Sequence, residues 1–330
     1  MKRIMKNIAV VGCGHWGKNL VRNFSHLGAL ACICDPDASL AQIFSEKYSV
    51  PSASFEDLIK NPEIKGVVLA VPAPLHASLA IEAMRAGKHV YVEKPLSMSE
   101  AEGGQMIGAS EKYGVHLMVG HLLQYHPIFV EIRSMVADKV FGKLQYIYSN
   151  RLSLGKIRSE EDVIWSFAPH DISMILSLAG QEPQQIRADA TCILQNNIAD
   201  AAIIHMEFAS NLKAHVSVSW LHPVKEQKLV VVGEHAMAIF DDTQPWNKKL
   251  AVYNHDVNIS GQEVYCSKAD VEYRHVEEAE PLQQECQYFI ELIQGSVPPL
   301  TDGREGLRVL KVLEAASLSA TQKRIIKMAR

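Results

Sequence analysis

Short apolar runs alternate with helical patterns over the first 123 residues of the chain. Each run ends at a glycine, a proline or a charged residue, which is typical of strands buried on both faces. Between the runs, apolar residues recur at helical spacing, as over 77–86, where Gly87 ends the pattern. Strands separated by helices need parallel crossover connections, so the pattern predicts a doubly wound parallel sheet. Its predicted strands are 7–11, 30–34, 67–71, 89–92 and 116–119.

The rhythm changes after residue 123, where strand candidates follow one another. Ser210-Asn211 lies where a hairpin turn would join two of them. Consecutive strands favour an antiparallel sheet with one exposed face. We therefore predict an α/β protein with a parallel-sheet domain at 1–123 and an α+β domain with a largely antiparallel, open-faced sheet at 124–330. The predicted strands are 144–152, 201–208, 212–220 and 228–232; the predicted helices begin at Val163 or Asp171 and end before Gly180, span 281–294, and start near Asp302.

A glycine-rich turn follows the first predicted strand. Gly12, Gly14 and Gly17 form a G-x-G-x-x-G motif between a strand and a helix, as in Rossmann dinucleotide-binding domains. The glycines permit a tight turn, the approach of a pyrophosphate, and close packing of helix and strand. Asp35 ends the second strand, where a carboxylate binds ribose hydroxyls and repels a 2′-phosphate. The pattern predicts NAD rather than NADP; the alternative is a glycine turn with an ordinary surface aspartate.

Lys94 follows the fourth predicted strand, in the segment Glu93-Lys94-Pro95. Ligands of parallel sheets bind at the carboxyl ends of the strands, so this lysine is expected at the cofactor crevice. An ammonium group beside a hydroxyl that is being oxidised stabilises the developing alkoxide. The residues alone leave a solvated loop lysine as the alternative.

His170 precedes an almost wholly apolar stretch that is predicted to be helical. At the start of that helix the dipole would disfavour imidazolium, while Asp171 in the first turn would act in the opposite sense. A neutral histidine near pH 7 is a candidate general base. The alternative is that Asp171 caps the helix and His170 packs.

Composition and charge exclude several classes of protein. The 330 residues carry a net charge of −4, which argues against nucleic-acid binding. No apolar run approaches the roughly 20 residues that span a bilayer. The cysteines are scattered without a C-x-x-C motif, which suits a reducing cytoplasm. His121 and His126 do not share a helix face well, so no metal site is predicted.

The chain resembles the glucose–fructose oxidoreductase, inositol dehydrogenase and MocA family (Gfo/Idh/MocA). The resemblance rests on the glycine motif, on 71–76 (Val-Pro-Ala-Pro-Leu-His), on 87–95 (Gly-Lys-His-Val-Tyr-Val-Glu-Lys-Pro) and on His170. It implies a Rossmann domain, an open-faced C-terminal sheet, and oxidation or reduction of a ring hydroxyl of sugars and cyclitols. It also implies that Lys94 is the active-site lysine and His170 the acid/base. The predicted cofactor-binding residues are Gly12, Gly14, His15, Trp16, Gly17, Asp35, Val71, Pro72, His76, Glu93 and Lys94.

One departure from the family pattern concerns the histidine. The family often has Asp-x-x-x-His, whereas Ser166 stands four residues before His170. A carboxylate that could assist the histidine is missing there. Two alternatives are open: Asp171 takes the place of the missing carboxylate, or the proton leaves by another route.

Within the family, 119–127 and 150–158 look like the UDP-N-acetylglucosamine 3-dehydrogenases, which prepare a 3-keto sugar on the way to the amino sugars of lipid A. Inositol or free-sugar dehydrogenase and UDP-N-acetylglucosaminuronate dehydrogenase are the alternatives, and an NAD-binding regulatory protein is the non-enzymatic one. A cationic cluster at 151–158 could bind a diphosphate; a solvated surface is the alternative. The predicted substrate-binding residues are Lys94, Gln124, His126, Arg151, Lys156, Arg158, Trp165, His170, Trp220 and Lys225.

An open sheet with one uncovered face would expose a large apolar patch. Self-association through that face, as a dimer or tetramer, is therefore expected.

Overall fold

The structure is a computed structural model that describes residues 6–155, 157–260 and 263–328. The chain divides into two compact units. The first unit comprises Met1–Tyr125 and Ala279–Leu310, and the second comprises His126–Glu278 and Lys311–Arg330. The first break falls close to the predicted boundary after residue 123. The sequence pattern, however, places 279–310 in the second domain, whereas in the structure this segment packs with the first unit.

Within the described residues, the first unit is built on a five-stranded parallel sheet. The strand order β2-β1-β3-β4-β5 is that of a doubly wound sheet, as predicted. The strands are β1 (Ile8–Val11), β2 (Leu30–Cys34), β3 (Gly66–Leu69), β4 (His89–Glu93) and β5 (Leu117–Gly120); the helices are α1 (Gly17–His26), α2 (Ala38–Tyr48), α3 (Phe55–Lys60), α4 (His76–Arg85) and α5 (Glu100–Tyr113).

The second unit contains a mixed sheet in the order β13-β12-β11-β10-β6-β9-β8-β7-β15, with β14 paired to β12. Among its described strands, β6 and β9 pair in parallel and the other neighbours pair antiparallel. The predicted, largely antiparallel sheet is therefore confirmed. The helices are α6 (Pro127–Ala137) and α7 (Val163–Ala179); the strands are β6 (Leu144–Leu154), β7 (Pro183–Thr191), β8 (Ala201–Phe208), β9 (Lys213–Ser219), β10 (Leu221–Gly233), β11 (Ala236–Asp241), β12 (Leu250–Ser260), β13 (Glu263–Lys268) and β14 (Glu272–Tyr273).

The last elements of the chain are α8 (Pro281–Ile293), α9 (Gly303–Gln322) and β15 (Ile326–Lys327). Asp302 lies where the last helix was expected to begin, and its Oδ1 accepts a hydrogen bond from the backbone N–H of Glu305 at 2.8 Å. The carboxylate thereby satisfies one of the N–H groups that a helix start leaves without a partner.

Alternating burial along β8 shows why the second sheet has one covered face. Ala202, Ile204, Met206 and Phe208 are buried, and the residues between them are more exposed. The hairpin between β8 and β9 turns at Asn211, which has a φ of 65°. Asparagine tolerates this left-handed conformation better than most residues, so the predicted turn is confirmed.

Helix α8 explains why 279–310 belongs to the first unit. Its inward face places Leu282, Cys286 and Phe289 in the core that covers one side of the parallel sheet. The Phe289 ring lies 5.7 Å from the ring of Tyr91 and 6.3 Å from that of Phe24. An amphipathic helix carries no mark of the sheet on which it packs, so sequence order alone assigned it to the wrong unit.

Protonation of His89 is expected to destabilise the first unit in mild acid. Its Nδ1 accepts a hydrogen bond from the backbone N–H of His116 at 3.0 Å. Burial, with a smaller effect of His116, lowers the pKa of His89 from 6.5 to about 4. The unfolded chain therefore takes up a proton at a higher pH than the folded protein. The free energy of unfolding should fall as pH drops through this interval, by at most about 1.4 kcal/mol per unit and less because the ring is partly exposed.

Thermal unfolding as a function of pH measures this effect. The unfolding temperature should fall less between neutral pH and mild acid in His89→Gln than in the wild type. Equal pH dependence in the two proteins would show that His89 makes no such contribution.

No helix in the described part of the chain is both long and apolar enough to cross a membrane.

Candidate active site

The glycine turn after β1 leaves no room for other side chains at two positions. A Cβ on Gly12, whose φ is 93°, would lie 2.4 Å from the carbonyl oxygen of Ala70, and one on Gly17 would lie 1.9 Å from the carbonyl oxygen of Gly12. Gly14 differs, because a Cβ built on it meets no atom within 4 Å. The first and third glycines are thus required by packing, and the second leaves the backbone open to a ligand.

A cavity of about 760 Å³ opens beside this turn, at the carboxyl ends of β1, β2 and β3. Ligands of doubly wound sheets bind at these strand ends. The volume lies within the range of small-molecule sites. Of the predicted cofactor residues, the cavity is lined by Gly12, Gly14, Asp35, Val71 and Pro72.

The carboxylate of Asp35 is held in place at the edge of this cavity. Its Oδ2 accepts a hydrogen bond from the backbone N–H of Cys13 at 2.6 Å, and its Oδ1 accepts one from that of Asp37 at 2.9 Å. A fixed carboxylate next to the glycine turn is the group that selects for ribose hydroxyls. The cavity, the open Gly14 and this carboxylate fit a dinucleotide.

The cavity also has walls that the sequence did not reveal. Residues 52–55 and the side chains of Leu75 and Leu79 line it. Ser52 forms a parallel bridge to Ile33 of β2, which brings this loop to the strand end. A single bridge leaves no periodic pattern in the sequence, so no signal identified the segment.

Trp16 and Glu93 connect the glycine turn to the end of β4. The indole Nε1–H of Trp16 donates to Oε1 of Glu93 at 2.6 Å. The Tyr91 hydroxyl donates to the same oxygen at 3.3 Å, and the backbone N–H of Lys94 donates to Oε2 at 3.3 Å. Burial raises the pKa of the Glu93 carboxyl, while these donors and the Lys94 charge oppose the shift. His15, in the same turn as Trp16, is exposed.

Lys94 lies half-buried just after β4 and is joined to Pro95 by a cis peptide bond. His76 packs below this turn, with Nδ1 at 2.8 Å from the carbonyl oxygen of Pro95 and Nε2 at 3.0 Å from that of Val71. Burial lowers the pKa of His76. The histidine joins the two loops that follow β3 and β4, and thereby supports the turn that carries Lys94.

In the second unit, His170 lies well inside α7 and not at its start. The helix begins at Val163, where the side chain of Asp162 caps it by accepting the backbone N–H of Trp165 at 3.1 Å. The earlier of the two predicted starts is therefore correct. The expectation that the helix N-terminus keeps His170 neutral is wrong, because the dipole acts only over the first turn.

Asp171 does not cap the helix. Its carboxylate is buried and accepts two hydrogen bonds from the Arg151 guanidinium, one from Nε at 2.5 Å and one from a second nitrogen at 3.2 Å. The Ser149 hydroxyl, which lies on β6 beside Arg151, also donates to this carboxylate. A bidentate pair of this kind anchors α7 to the sheet and fixes the backbone from which the His170 side chain extends.

The predicted cationic cluster is largely neutralised in the structure. Arg151 is paired with Asp171, and Arg158 lies 2.9 Å from the carboxylate of Glu161. Lys156 lies outside the described residues. Arg158 remains 42% exposed and can exchange partners, whereas Arg151 is held between buried groups.

Two of the predicted substrate residues are buried. Trp220 is fully buried, and its indole N–H donates to Oδ1 of Asp200 at 2.6 Å, so its ring offers no stacking surface. His126 is the N-cap of α6: its Nδ1 accepts the backbone N–H of Ile128 at 3.2 Å, and its ring is buried beside Trp246. The sequence predicted both as substrate residues, and their burial depends on tertiary packing that the sequence pattern does not show.

The remaining predicted substrate residues are distributed over both units. Gln124 is buried in the first unit. In the second, Trp165 is half-buried and its Nε1–H donates to the Ser317 hydroxyl at 3.0 Å, while Lys225 is exposed on β10. Across the part of the chain that the structure describes, no group of three or more His, Cys, Asp or Glu side chains is arranged to hold a metal ion.

Both parts of the chain match established family models. Residues 6–121 match the oxidoreductase family with an NAD-binding Rossmann fold (GFO_IDH_MocA), and residues 129–239 match the GFO/IDH/MocA C-terminal domain. Together these matches cover more than half of the chain. The chain belongs to the Gfo/Idh/MocA family. It is accordingly an NAD-binding oxidoreductase.

Three relatives of this Gfo/Idh/MocA protein span nearly its whole length. UDP-N-acetylglucosamine 3-dehydrogenase of Acidithiobacillus ferrooxidans is 26% identical, covering 91% of this chain and 93% of its own. Its crystal structure superposes with a TM-score of 0.83 at 25% identity over 96% and 98% of the two chains. Myo-inositol 2-dehydrogenase of Thermotoga maritima is 23% identical over 97% and 98%. WlbA dehydrogenase of Bordetella pertussis, solved with NADH and UDP-GlcNAcA, shares the fold with a TM-score of 0.78 at 21% identity over 99% of each chain.

Asp35 should make this Gfo/Idh/MocA protein prefer NAD over NADP. Asp35→Ser or Asp35→Ala removes the repulsion of a 2′-phosphate, so the difference in affinity between NAD and NADP should become smaller. Fluorescence titrations with NADH and NADPH measure the ratio of the two dissociation constants. Wild-type protein that binds NADPH as tightly as NADH would refute the assignment.

Proposed function

We propose that the protein oxidises a ring hydroxyl of a nucleotide sugar with NAD, and that the substrate is the 3-hydroxyl of UDP-N-acetylglucosamine. The observation that carries the proposal is the 26% identity to a UDP-N-acetylglucosamine 3-dehydrogenase, which extends over 91% of the chain and so covers both units. WlbA, which shares the fold, has been solved with a related nucleotide sugar. The product would be a 3-keto sugar, which a transaminase can convert to an amino sugar of the lipid A type.

Oxidation of a secondary alcohol needs an acceptor for the hydride and one for the proton. When bound, NAD supplies the nicotinamide C4 that receives the hydride. We assign the proton to the imidazole of His170, a group that is basic near neutral pH. The ammonium group of Lys94 stabilises the alkoxide as the proton leaves.

Ser166 changes how the histidine is supported. It lies one helical turn before His170 on α7 and is buried. A serine cannot stabilise an imidazolium by charge as a carboxylate does. Asp171 is engaged by Arg151 and Ser149, so it is a poor substitute. We therefore expect His170 to pass its proton onward rather than to retain it.

A second candidate is a free sugar or cyclitol. It is favoured by the pairing of Arg151 with Asp171 and of Arg158 with Glu161, which leaves less positive charge for a diphosphate. The inositol dehydrogenase of Thermotoga maritima is also similar over 97% of the chain.

A substrate comparison separates the two candidates. NADH formation is measured with UDP-N-acetylglucosamine, UDP-N-acetylglucosaminuronate, free N-acetylglucosamine and myo-inositol. The proposal requires the first of these to give the largest kcat/KM. Equal activity on N-acetylglucosamine and its UDP conjugate would restore the free-sugar alternative.

Arg158 should bind the diphosphate of the nucleotide sugar. Arg158→Ala should raise the KM for UDP-N-acetylglucosamine by about tenfold through loss of a charge-assisted hydrogen bond. Glu161→Gln is the matched control: it removes the carboxylate that competes for the same guanidinium, so KM should not rise. An unchanged KM in Arg158→Ala would remove this residue from the substrate site.

We further propose that the protein is a cytoplasmic homo-oligomer that associates through the open face of the second sheet. That face presents partly exposed side chains such as Tyr146 and Ile203. Size-exclusion chromatography with light scattering measures the mass. A monomer would exclude the association.

A further inference from the structure

Helix α8 places a carboxyl group inside the first unit. The side chain of Glu285 is 1% exposed, and its neighbours on the inward face of the helix are apolar: Leu282, Cys286 and Phe289. Burial of a carboxylate without partners is costly, and an apolar residue of similar size would fill the same space. Packing therefore gives no reason for a glutamate at this position.

Neither carboxyl oxygen of Glu285 makes a hydrogen bond of good geometry among the described residues, and the Tyr91 hydroxyl is the hydrogen-bonding group that interacts with this carboxyl. The carboxyl faces the Tyr91 hydroxyl and the Glu93 carboxyl, with Tyr125 and the Cys286 thiol as the other titratable neighbours. Tyr91 has only one proton to donate, and its hydroxyl lies 3.3 Å from Oε1 of Glu93. If that proton goes to Glu93, the Tyr91 oxygen is left as an acceptor for Glu285.

Glu93 is in the opposite situation. It accepts hydrogen bonds from Trp16, Tyr91 and the backbone N–H of Lys94. When two carboxyl groups interact in a buried site, the pKa of one of them is strongly raised and it keeps its proton. We infer that Glu93, which accepts three hydrogen bonds of good geometry, carries the negative charge and that Glu285, which accepts none, keeps the proton. Burial and the charge of Glu93 raise the pKa of Glu285 well above its ordinary value, in agreement with this assignment.

Tyr91 and Glu93 lie close to the backbone of β5. A Cβ on Gly120 would lie 3.0 Å from the Tyr91 ring and 3.1 Å from the Glu93 carboxyl. The tyrosine and the glutamate thus rest directly on the backbone of the neighbouring strand.

We propose that Glu285 is a protonated carboxylic acid near neutral pH and positions Lys94 through Tyr91 and Glu93. Its O–H donates to the Tyr91 oxygen, which directs the Tyr91 proton to Glu93 and keeps Glu93 ionised. Ionised Glu93 ties Trp16 of the glycine turn to the backbone of Lys94. Glu285 is a positioning residue, and its importance for turnover rests on the function proposed for Lys94.

Infrared spectroscopy tests the protonation state without cofactor or substrate. A protonated carboxylic acid gives a carbonyl band above the amide I region, which ionised carboxylates lack. At neutral pH the band should be present in the wild type and absent in Glu285→Gln. Glu291→Gln, which removes a partly exposed carboxyl from the same helix, should retain it. If the wild type and Glu285→Gln give the same spectrum in this region, the proposal is wrong.

NADH affinity tests the positioning role. Glu285→Met keeps the side-chain volume but removes the donor, and Tyr91→Phe removes the hydroxyl that links Glu285 to Glu93. Each variant should weaken NADH binding and lower turnover by about tenfold, as expected for the loss of a hydrogen bond. Glu285→Gln, which can still donate, should show a smaller loss. The unfolding temperature of Glu285→Met should not fall, because the cost of burying a carboxyl is removed. A purely structural glutamate would lower that temperature and leave NADH affinity unchanged, which would overturn the proposal.

The experiment separates this proposal from the proposed function. If UDP-N-acetylglucosamine is not the substrate, turnover is absent even in the wild type, while the infrared band and NADH affinity still respond to Glu285. If Glu285→Met does not fold, Tyr91→Phe supplies the affinity measurement. If folded Glu285→Met or Tyr91→Phe binds NADH as tightly as the wild type, the positioning role is contradicted.

Discussion

Replacing His170 with asparagine is expected to lower kcat for UDP-N-acetylglucosamine by about 10²- to 10⁴-fold, the usual contribution of a general base. The hydroxyl proton then has no acceptor in α7, since Ser166 is not basic and Asp171 is bound to Arg151. The residual rate should rise with pH as hydroxide replaces the imidazole. NADH affinity should not change, because the glycine turn and Asp35 belong to the first unit.

A pH–rate profile for the wild type and His170→Asn provides the measurement. His26→Asn is the matched control, since this histidine lies in the last turn of α1 and has no predicted part in the chemistry. A His170→Asn protein with the rate and profile of the wild type would show that the histidine only packs.

Lys94→Ala should lower kcat by about 10²- to 10³-fold, the effect of removing one electrostatic stabiliser of a developing oxyanion. Unfolding temperature should change little, because the side chain is only half-buried and its backbone N–H keeps its bond to Glu93. Stopped-flow NADH formation under saturating substrate isolates the chemical step from binding.

Lys60→Ala is the control for the loss of a positive charge from the same unit. Its ammonium pairs with Glu56 on the exposed face of α3, so turnover should be unaffected. Near wild-type turnover in Lys94→Ala would exclude the role in alkoxide stabilisation.

The sequence was a good guide to the parallel sheet. Buried parallel strands are continuous apolar runs, and 30–34 coincides with β2 as observed. The glycine motif was equally informative, since at Gly12 and Gly17 only glycine fits the local backbone. These features depend on residues that are close together in the sequence, so the sequence alone can predict them.

Features that depend on tertiary pairing could not be read in this way. Arg151 looked like a free cation because Asp171, its partner, lies twenty residues away on another element. The start of α7 was ambiguous because 163–179 is apolar almost throughout, and only the cap by Asp162 decides it. Glu285 gave no signal, because a lone glutamate in a helix looks like a surface residue until the helix is packed.

In the proposed reaction, hydride leaves C3 of a nucleotide sugar. UDP-N-acetylglucosamine deuterated at C3 tests it directly, with mass spectrometry of both the reduced cofactor and the sugar product. We expect NADH that carries the deuterium, together with a 3-keto UDP sugar that has lost it. Reduced cofactor without deuterium, or no reduction with this substrate while a free sugar or cyclitol is oxidised, would contradict it.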